Sequence, residues 1–339
     1  MVIDDWLNEY RVKVMKTVEK AIVALLLLFS RPTDILGEAL SIYEIQYTTA
    51  DEGTSPQHGN IVDCLGGIVV HKSSGSRTKL TLYDPANPDC WGGIMAKDAY
   101  GVGAFAGVNV GDWISFANVG VEDFRGNTFL QYTGDTGASF TIVSTGNAVP
   151  KPLAVRVDEI AAPIEGLDAW LVADHNAERY EGMLIRVIDV NVKDIGYGKA
   201  YDNYILQSNT DPSRTCWASD YMNGDRAGIY HPYVGIGQDF CGVTGILEQY
   251  TGKSDGIDYD YYQLLTTGTA DFVIEQTADF DRDCDVDSVD FSLFAQHWLQ
   301  EGCTEPDWCG GADMARDDLG GIVKISDLSE FAWYWLEGK

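Results

Sequence analysis

The chain has 339 residues, 45% of them hydrophobic and 12% aromatic, with 23 Lys/Arg against 52 Asp/Glu and a formal charge of −29. The hydrophobic share excludes a disordered polyelectrolyte, and the length allows two or three domains. Residues 40–339 hold 18 Lys/Arg against 46 Asp/Glu, a balance that repels phosphate backbones and predicts no nucleic-acid partner, while favouring cations, basic partners and neutral ligands such as glycans.

Residues 1–39 have the layout of a signal peptide or leader. Lys16 and Lys20 precede nine apolar residues, Ala21–Phe29, and Gly37 and Ala39 flank a cleavage position before Leu40. Nine apolar residues fall far short of the roughly 20 that a permanent membrane helix needs, so no membrane span is expected. The alternative, a buried amphipathic helix, conflicts with the unbroken ALLLLF block. Residues 1–14 either precede the true start or lengthen the leader. A secreted or cell-surface location follows. The seven cysteines, Cys64, Cys90, Cys216, Cys241, Cys284, Cys303 and Cys309, then read as disulfides with one left over. Cys303 and Cys309 flank a TEPDW turn and are expected to pair. Cys64–Cys90 and Cys216–Cys241 are the expected remainder, leaving Cys284 alone.

Residues 40–275 are rich in short Val/Ile/Thr/Tyr/Phe runs broken by Gly, Asn or Asp, a strand pattern. Two halves, 40–149 and 150–275, echo each other at a spacing of about 126. PANPDCWGGIMA (85–96) matches TDPSRTCWASDY (210–221), setting Cys90 over Cys216 and Trp91 over Trp217. VNVGDWISFANVGVEDFRG (108–126) matches VGIGQDFCGVTGILEQYTG (234–252), setting Gly111 over Gly237 and Gly126 over Gly252. A duplicated small β-domain is the simplest account, each copy a closed or partly closed barrel of about five strands.

The segments SIYEIQYTTADEGTSPQHGNIVDCLGGIVV (41–70) and ERYEGMLIRVIDVNV (178–192) resemble the OB-fold-like modules that accompany catalytic domains in large secreted bacterial endonucleases and related surface proteins. The resemblance covers about residues 41–275 and implies no catalytic domain. A pair of immunoglobulin-like sandwiches is the competing fold. Trp91, Trp113, Trp170, Trp217, Tyr197, Tyr201 and Tyr204 could stack on a ligand, but filling barrel interiors or covering barrel ends is the expected use. The DYDYYQ run (258–263) reads as an alternating strand with one wet face.

Residues 276–339 carry the sharpest motif. DFDRDCDVDSVD (279–290) places acids at Asp279, Asp281, Asp283, Asp285, Asp287 and Asp290, the 1, 3, 5, 7, 9, 12 spacing of an EF-hand-type calcium loop. Ca²⁺ takes six to eight hard oxygens and would neutralise carboxylates that otherwise repel one another; the alternative is a solvated acidic turn. A helix follows, with Val289, Leu293, Phe294 and Trp298 near one face. VDSVDFSLFAQHWLQ (286–300) recurs as VKISDLSEFAWYWLE (323–337), setting Asp290 over Asp327 and Phe294 over Phe331.

Such a loop–helix pair over residues 278–337 resembles the dockerin domain. That resemblance implies a small α-helical calcium module docking onto a protein partner, a cohesin-like domain or other copies of the chain. Two features depart from the pattern. Cys284 stands at position six, where Gly is usual. The second loop, 313–327, is three residues too long and puts Lys324 at position nine. Asp313, Asp317, Asp318 and Asp327 remain its candidate ligands.

Five histidines, His58, His71, His175, His231 and His297, show no metal spacing. Catalytic motifs such as G-x-S-x-G, H-E-x-x-H or a P-loop are missing, and a carboxylate pair such as Asp174/Glu178 is expected by chance among 52 acids. The sequence therefore predicts a mostly β fold of two small OB-like barrels plus a dockerin-like helical end. Its expected role is a secreted, non-catalytic binding or adhesion protein with a calcium-dependent interaction module. A structural subunit of an extracellular filament, tube or coat, and an accessory component of a secreted nuclease or polysaccharide-degrading system, are the alternatives.

Overall fold

The computed structural model describes residues 38–50, 53–73, 77–133, 137–197, 203–219, 235–254, 256–274, 277–316 and 321–337. Residues 1–37 of the expected leader, Tyr201, His231, Asp317 and Asp318 lie outside these. Residues 39–339 form one compact unit. Among the described residues, no helix is long and apolar enough to cross a membrane.

A short helix, α1 (Ile42–Gln46), opens the described chain. Its Ser41-x-x-Glu44 start forms a capping box: the Glu44 N–H donates to Ser41 Oγ, and the Ser41 N–H to Glu44 Oε2. Ile42 and Ile45 then reach the interior of the first barrel, both fully buried.

That barrel is built from β1 (Ile61–Lys72), β2 (Lys79–Tyr83), β3 (Gly93–Asp98), β4 (Trp113–Phe124) and β5 (Asn127–Tyr132), with β6 (Ser139–Ser144) added beside β4. Strands pair in the order β1-β2-β3-β5-β4, and β1–β4 pairing closes the ring. Only β3–β5 is parallel. Closure bends β1 at Gly66 (φ +70°), where any Cβ would overlap the Ile114 carbonyl. Val69, Leu80, Leu82, Ile94, Ile114 and Leu130 fill the interior. The β3–β4 connection is organised by charge. The buried Asp98 carboxylate accepts the backbone N–H groups of Gly101, Val102, Gly103 and Ala104. Lys72 Nζ donates to the carbonyls of Phe105, Ala106 and Val108. The connection so fixed drives the Phe105 ring, fully buried, against Phe116, Tyr132 and Phe140.

After the short strands β7 (Leu153–Val155), β8 (Ile164–Glu165) and β9 (Ala169–Leu171) comes the second barrel. It comprises β10 (Leu184–Tyr197), β11 (Asn203–Ser208), β12 (Thr215–Ser219), β13 (Asp239–Ser254) and β14 (Ile257–Leu265), with β15 (Phe272–Val273) beside β13. The order β10-β11-β12-β14-β13 closes through β10–β13, with β12–β14 parallel. The chain is thus mostly β, with two five-stranded OB-fold-like rings of one topology. No immunoglobulin-like sandwich pair forms among the described residues.

The repeat holds in three dimensions but not in every register. Gly111 and Gly237, at φ +88° and +80°, occupy one turn: their N–H groups donate to Val69 and Val192, whose own N–H groups donate to the carbonyls of Asp112 and Gln238. Gly126, however, corresponds to Gly256 rather than Gly252. Both sit in two-residue hairpins, closed by Phe124↔Asn127 and Ser254↔Ile257, and the second hairpin is longer. Cys90 does not correspond to Cys216 either. Ile94 pairs with Leu82 as Cys216 pairs with Leu206, so Cys90 and Trp91 lie in the turn before β3.

Several expected side-chain environments are corrected. Tyr204 fills the second barrel, but Trp217 points outward from β12 beneath Trp170 and Tyr261. The DYDYYQ strand alternates, yet its outer face is covered: Tyr261 is buried in that cluster, and Tyr262 is buried inside the barrel. Cys303–Cys309 pair as expected, but the second disulfide is Cys241–Cys284. Cys216 is locked in the barrel interior and Cys64 is buried, so Cys64, Cys90 and Cys216 are free thiols.

The C-terminal part holds two helices, α2 (Ser288–Gln296) and α3 (Ile325–Glu337). Phe280, Phe294 and Phe331 meet between them, with Phe294 and Phe331 stacked at 5.3 Å. Of the expected α2 face only Phe294 is fully buried; Val289 and Trp298 are exposed. Phe105→Ala is expected to lower the stability of the full chain by about 3–5 kcal/mol. Urea unfolding checks this, and an unchanged midpoint would show that the ring is not a core element.

Candidate metal centre

Local hydrogen bonding shapes the 279–290 loop. Asp290, fully buried, closes it: Oδ1 accepts the N–H groups of Phe280 and Asp281, and Oδ2 that of Asp287. Asp287 caps α2 by accepting the Val289 N–H. Asp281 and Asp283 accept the N–H groups of Asp283 and Asp285 in successive two-residue turns. These turns bring carboxylate oxygens of Asp279, Asp281 and Asp283 within 4.8 Å of one another, and those of Asp285, Asp287 and Asp290 into a second such group.

The first group is only partly relieved by Lys151 and Arg186, which act on it at a distance. Burial, with the neighbouring Asp290 charge adding to it, pushes the Asp279 carboxyl up to about 6. Burial likewise raises Asp281 and Asp283. Asp279 Oδ2 accepts the Cys284 N–H at 2.9 Å, but its buried Oδ1 has no donor. The second group is relieved by Lys151, whose Nζ lies 2.9 Å from Asp285 and 2.7 Å from Asp287 and holds Asp287 below the usual carboxylate range.

Cys284, at the position usually given to Gly, has φ +72°. Its side chain explains the exchange, because it is bonded to Cys241 on β13 and ties the loop to the second barrel. The barrel surface is fitted to this approach. Arg186 Nη1 donates to the carbonyls of Asp283 and Cys284, and its Nε to Thr244 Oγ1. At Gly242 a Cβ would lie 2.8 Å from the Arg186 side chain and 3.0 Å from Cys284 Sγ. Lys151, Arg186, Cys241 and Gly242 lie far from the acidic run in sequence, and only the unusual Cys284 pointed toward a tether.

In the second loop, Asp327 is fully buried and accepts the N–H groups of Ala315 and Lys324, repeating what Asp290 does. Asp313, also buried, accepts the Arg316 N–H. No three-ligand group forms there among the described residues. Of the chance carboxylate pair, Asp174 caps Asn176 while Glu178 is buried against Tyr262.

The chain is therefore a mostly β protein with OB-fold-like barrels. No family model and no curated protein matches it. Solved structures similar to it include the Ifi202 HINa domain in complex with 20-bp double-stranded DNA, at 9% identity over 60% of this chain and 95% of that one, with a TM-score of 0.30. Others are a murine DNA-binding protein bound to double-stranded DNA (8% identity, 60% and 99% covered, TM-score 0.29) and fission yeast Pot1 with single-stranded DNA (14%, 74% and 90%, 0.26). Two expectations are corrected beside these structures, which are themselves DNA complexes. The exclusion of nucleic acid does not stand, nor does the assignment to calcium-dependent protein docking and adhesion.

The Cys241–Cys284 bridge closes a 43-residue separation. A Cys241→Ser/Cys284→Ser variant is expected to lose about 2–4 kcal/mol of stability, as chain-entropy arguments give for loops of this size. Denaturant unfolding of the full chain reads the loss, and no change would contradict the tether's structural role.

Proposed function

We propose that this chain is an exported, non-catalytic calcium-binding protein whose ion folds the C-terminal loop–helix pair against the second barrel. The observation that carries the reading is the convergence of Asp279, Asp281 and Asp283, with the buried, donor-less Asp279 Oδ1 among them. Hard oxygens without donors suit Ca²⁺ better than a softer metal. Asp279, Asp281 and Asp283 would hold the ion, with Asp285 and Asp287 available from the second group and Asp290 closing the loop. When bound, the ion supplies positive charge that offsets the carboxylate repulsion. The chain's own residues do the rest: Lys151 neutralises the far side, Arg186 binds the loop carbonyls, and Cys284 fixes the loop's turn.

The C-terminal unit is read as dockerin-like in architecture only, two related loop–helix motifs with the stronger site in the first. Asp313 and Asp327 are candidate ligands of the second, together with Asp317 and Asp318. Two disulfides, Cys241–Cys284 and Cys303–Cys309, support an oxidising compartment and hence export of the chain.

A ligand that binds only the folded state stabilises it by about 2.7 kcal/mol at one hundred times its dissociation constant. Millimolar Ca²⁺ is therefore expected to raise the melting temperature of the full-length chain by several degrees. Asp283→Ala is expected to abolish most of that rise, while Asp211→Asn, exposed on the second barrel, leaves it intact. Differential scanning calorimetry makes the comparison; equal curves with calcium and with chelator would refute the proposal.

A further inference from the structure

Beside an apolar contact of Val70, Met95 and Phe129 with Ile246 and Leu265, the two barrels meet across a seam that is polar and acidic. From the first barrel come Gln46, Asp123, Asn127 and Thr128; from the second come His175, Glu178, Glu181, Gln249, Asp260 and Tyr262. The Asn127 side chain clasps the backbone of Gln249, donating to its carbonyl and accepting its N–H. The Thr128 N–H donates to Glu181 Oε1 at 2.9 Å, and its Oγ1 to Asp123 Oδ1 at 2.6 Å. The Tyr262 hydroxyl donates to Glu178 Oε2 at 2.8 Å, and the Gln249 amide to Asp260.

Four carboxyl groups thus share one seam. Glu181 is only 2% exposed and Glu178 5%. The charges acting on Glu181 are those of Glu178 and Asp123, both negative. At the rim, His175 Nε2 lies 3.3 Å from Asp260, and His58 Nδ1 lies 3.7 Å from Asp123. The imidazoles meet those outer carboxylates rather than the buried pair. Three buried oxygens in the seam have no donor: Gln46 Oε1, Glu181 Oε2 and Gln249 Oε1. Buried acceptors in excess of donors are what a proton on one of the carboxyl groups would relieve.

One proton on Glu181 changes two of these at once. Its Oε2 becomes a donor, and the Gln46 side chain, which interacts with the Glu181 carboxyl, carries another of the donor-less oxygens. We propose that the seam is a proton-operated joint, closed while Glu181 carries a proton it donates across to the first barrel and loosened when the Glu178–Glu181 pair is fully ionised.

Electrostatics agree with this geometry. Burial first, then the neighbouring carboxylates, raises Glu181 well above the ordinary range and brings Glu178 to about 8. A carboxyl raised in the folded state takes up a proton on folding. The folded form is therefore favoured at acid pH and loses that advantage as pH climbs from the ordinary carboxylate range, for Glu178 through about 8.

Amide hydrogen exchange of the full chain, corrected for the intrinsic pH dependence, tests the joint. Protection of the Thr128 and Gln249 N–H groups is expected to fall at least tenfold between pH 7 and pH 9, while Leu82 and Leu206 inside the barrels keep theirs. Glu181→Gln supplies a permanent donor and is expected to hold the seam amides protected at both pH values. Glu178→Gln removes the like charge and is expected to move the pH at which protection is lost. Seam amides that track the interior ones in wild type would overturn the proposal. So would a Glu181→Gln chain that keeps the wild-type pH profile, or, should that variant fail to fold, an unmoved midpoint in Glu178→Gln.

Discussion

Carboxylate crowding between residues 279 and 290 is the constraint from which the C-terminal half of the structure follows. Asp279, Asp281 and Asp283 bring oxygens within 4.8 Å of one another, and like charges at such separations repel strongly in a partly desolvated site. The fold answers half of the repulsion with its own residues. Lys151 takes Asp285 and Asp287, and backbone N–H groups take both oxygens of Asp290. The Asp279, Asp281 and Asp283 carboxyl groups, raised by burial, carry the rest.

The second barrel is shaped by this neighbour. Gly242 leaves room for the loop, Arg186 reaches its carbonyls, and Cys241 bonds it covalently. Among the described residues none of these adaptations has a counterpart on the first barrel, though the two rings share strand order, closure and the Gly111/Gly237 turn. Of two rings with one strand order, the second carries the acidic loop. The same copy contributes Glu178 and Glu181 to the inter-barrel seam, so the chain buries negative charge at two places and handles each differently.

Much of this was legible in the residues. Strand-rich alternation and the paired Gly111/Gly237 turn identified two related β-units, because tight turns require positive φ wherever they recur. Asp spacing marked the loop, because the oxygen pattern is written in consecutive residues. The misread features were non-local. Cys284 stood at a glycine position, yet its partner Cys241 could be found only once β13 faced the loop. The Cys90/Cys216 match aligned sequence letters rather than strand register, which sets Ile94 over Cys216. Glu178 was set aside as part of a chance pair with Asp174, and no local pattern marked Glu181. Only the packing of one ring on the other buries them.

The most direct measurement is equilibrium dialysis of the full-length chain against labelled calcium, counting bound ions per molecule with and without substitution of Asp279 by Asn. The account predicts saturable binding at the first loop, lost in the variant while the barrels keep their fold by circular dichroism. Calcium that binds non-saturably and equally to both chains would contradict it.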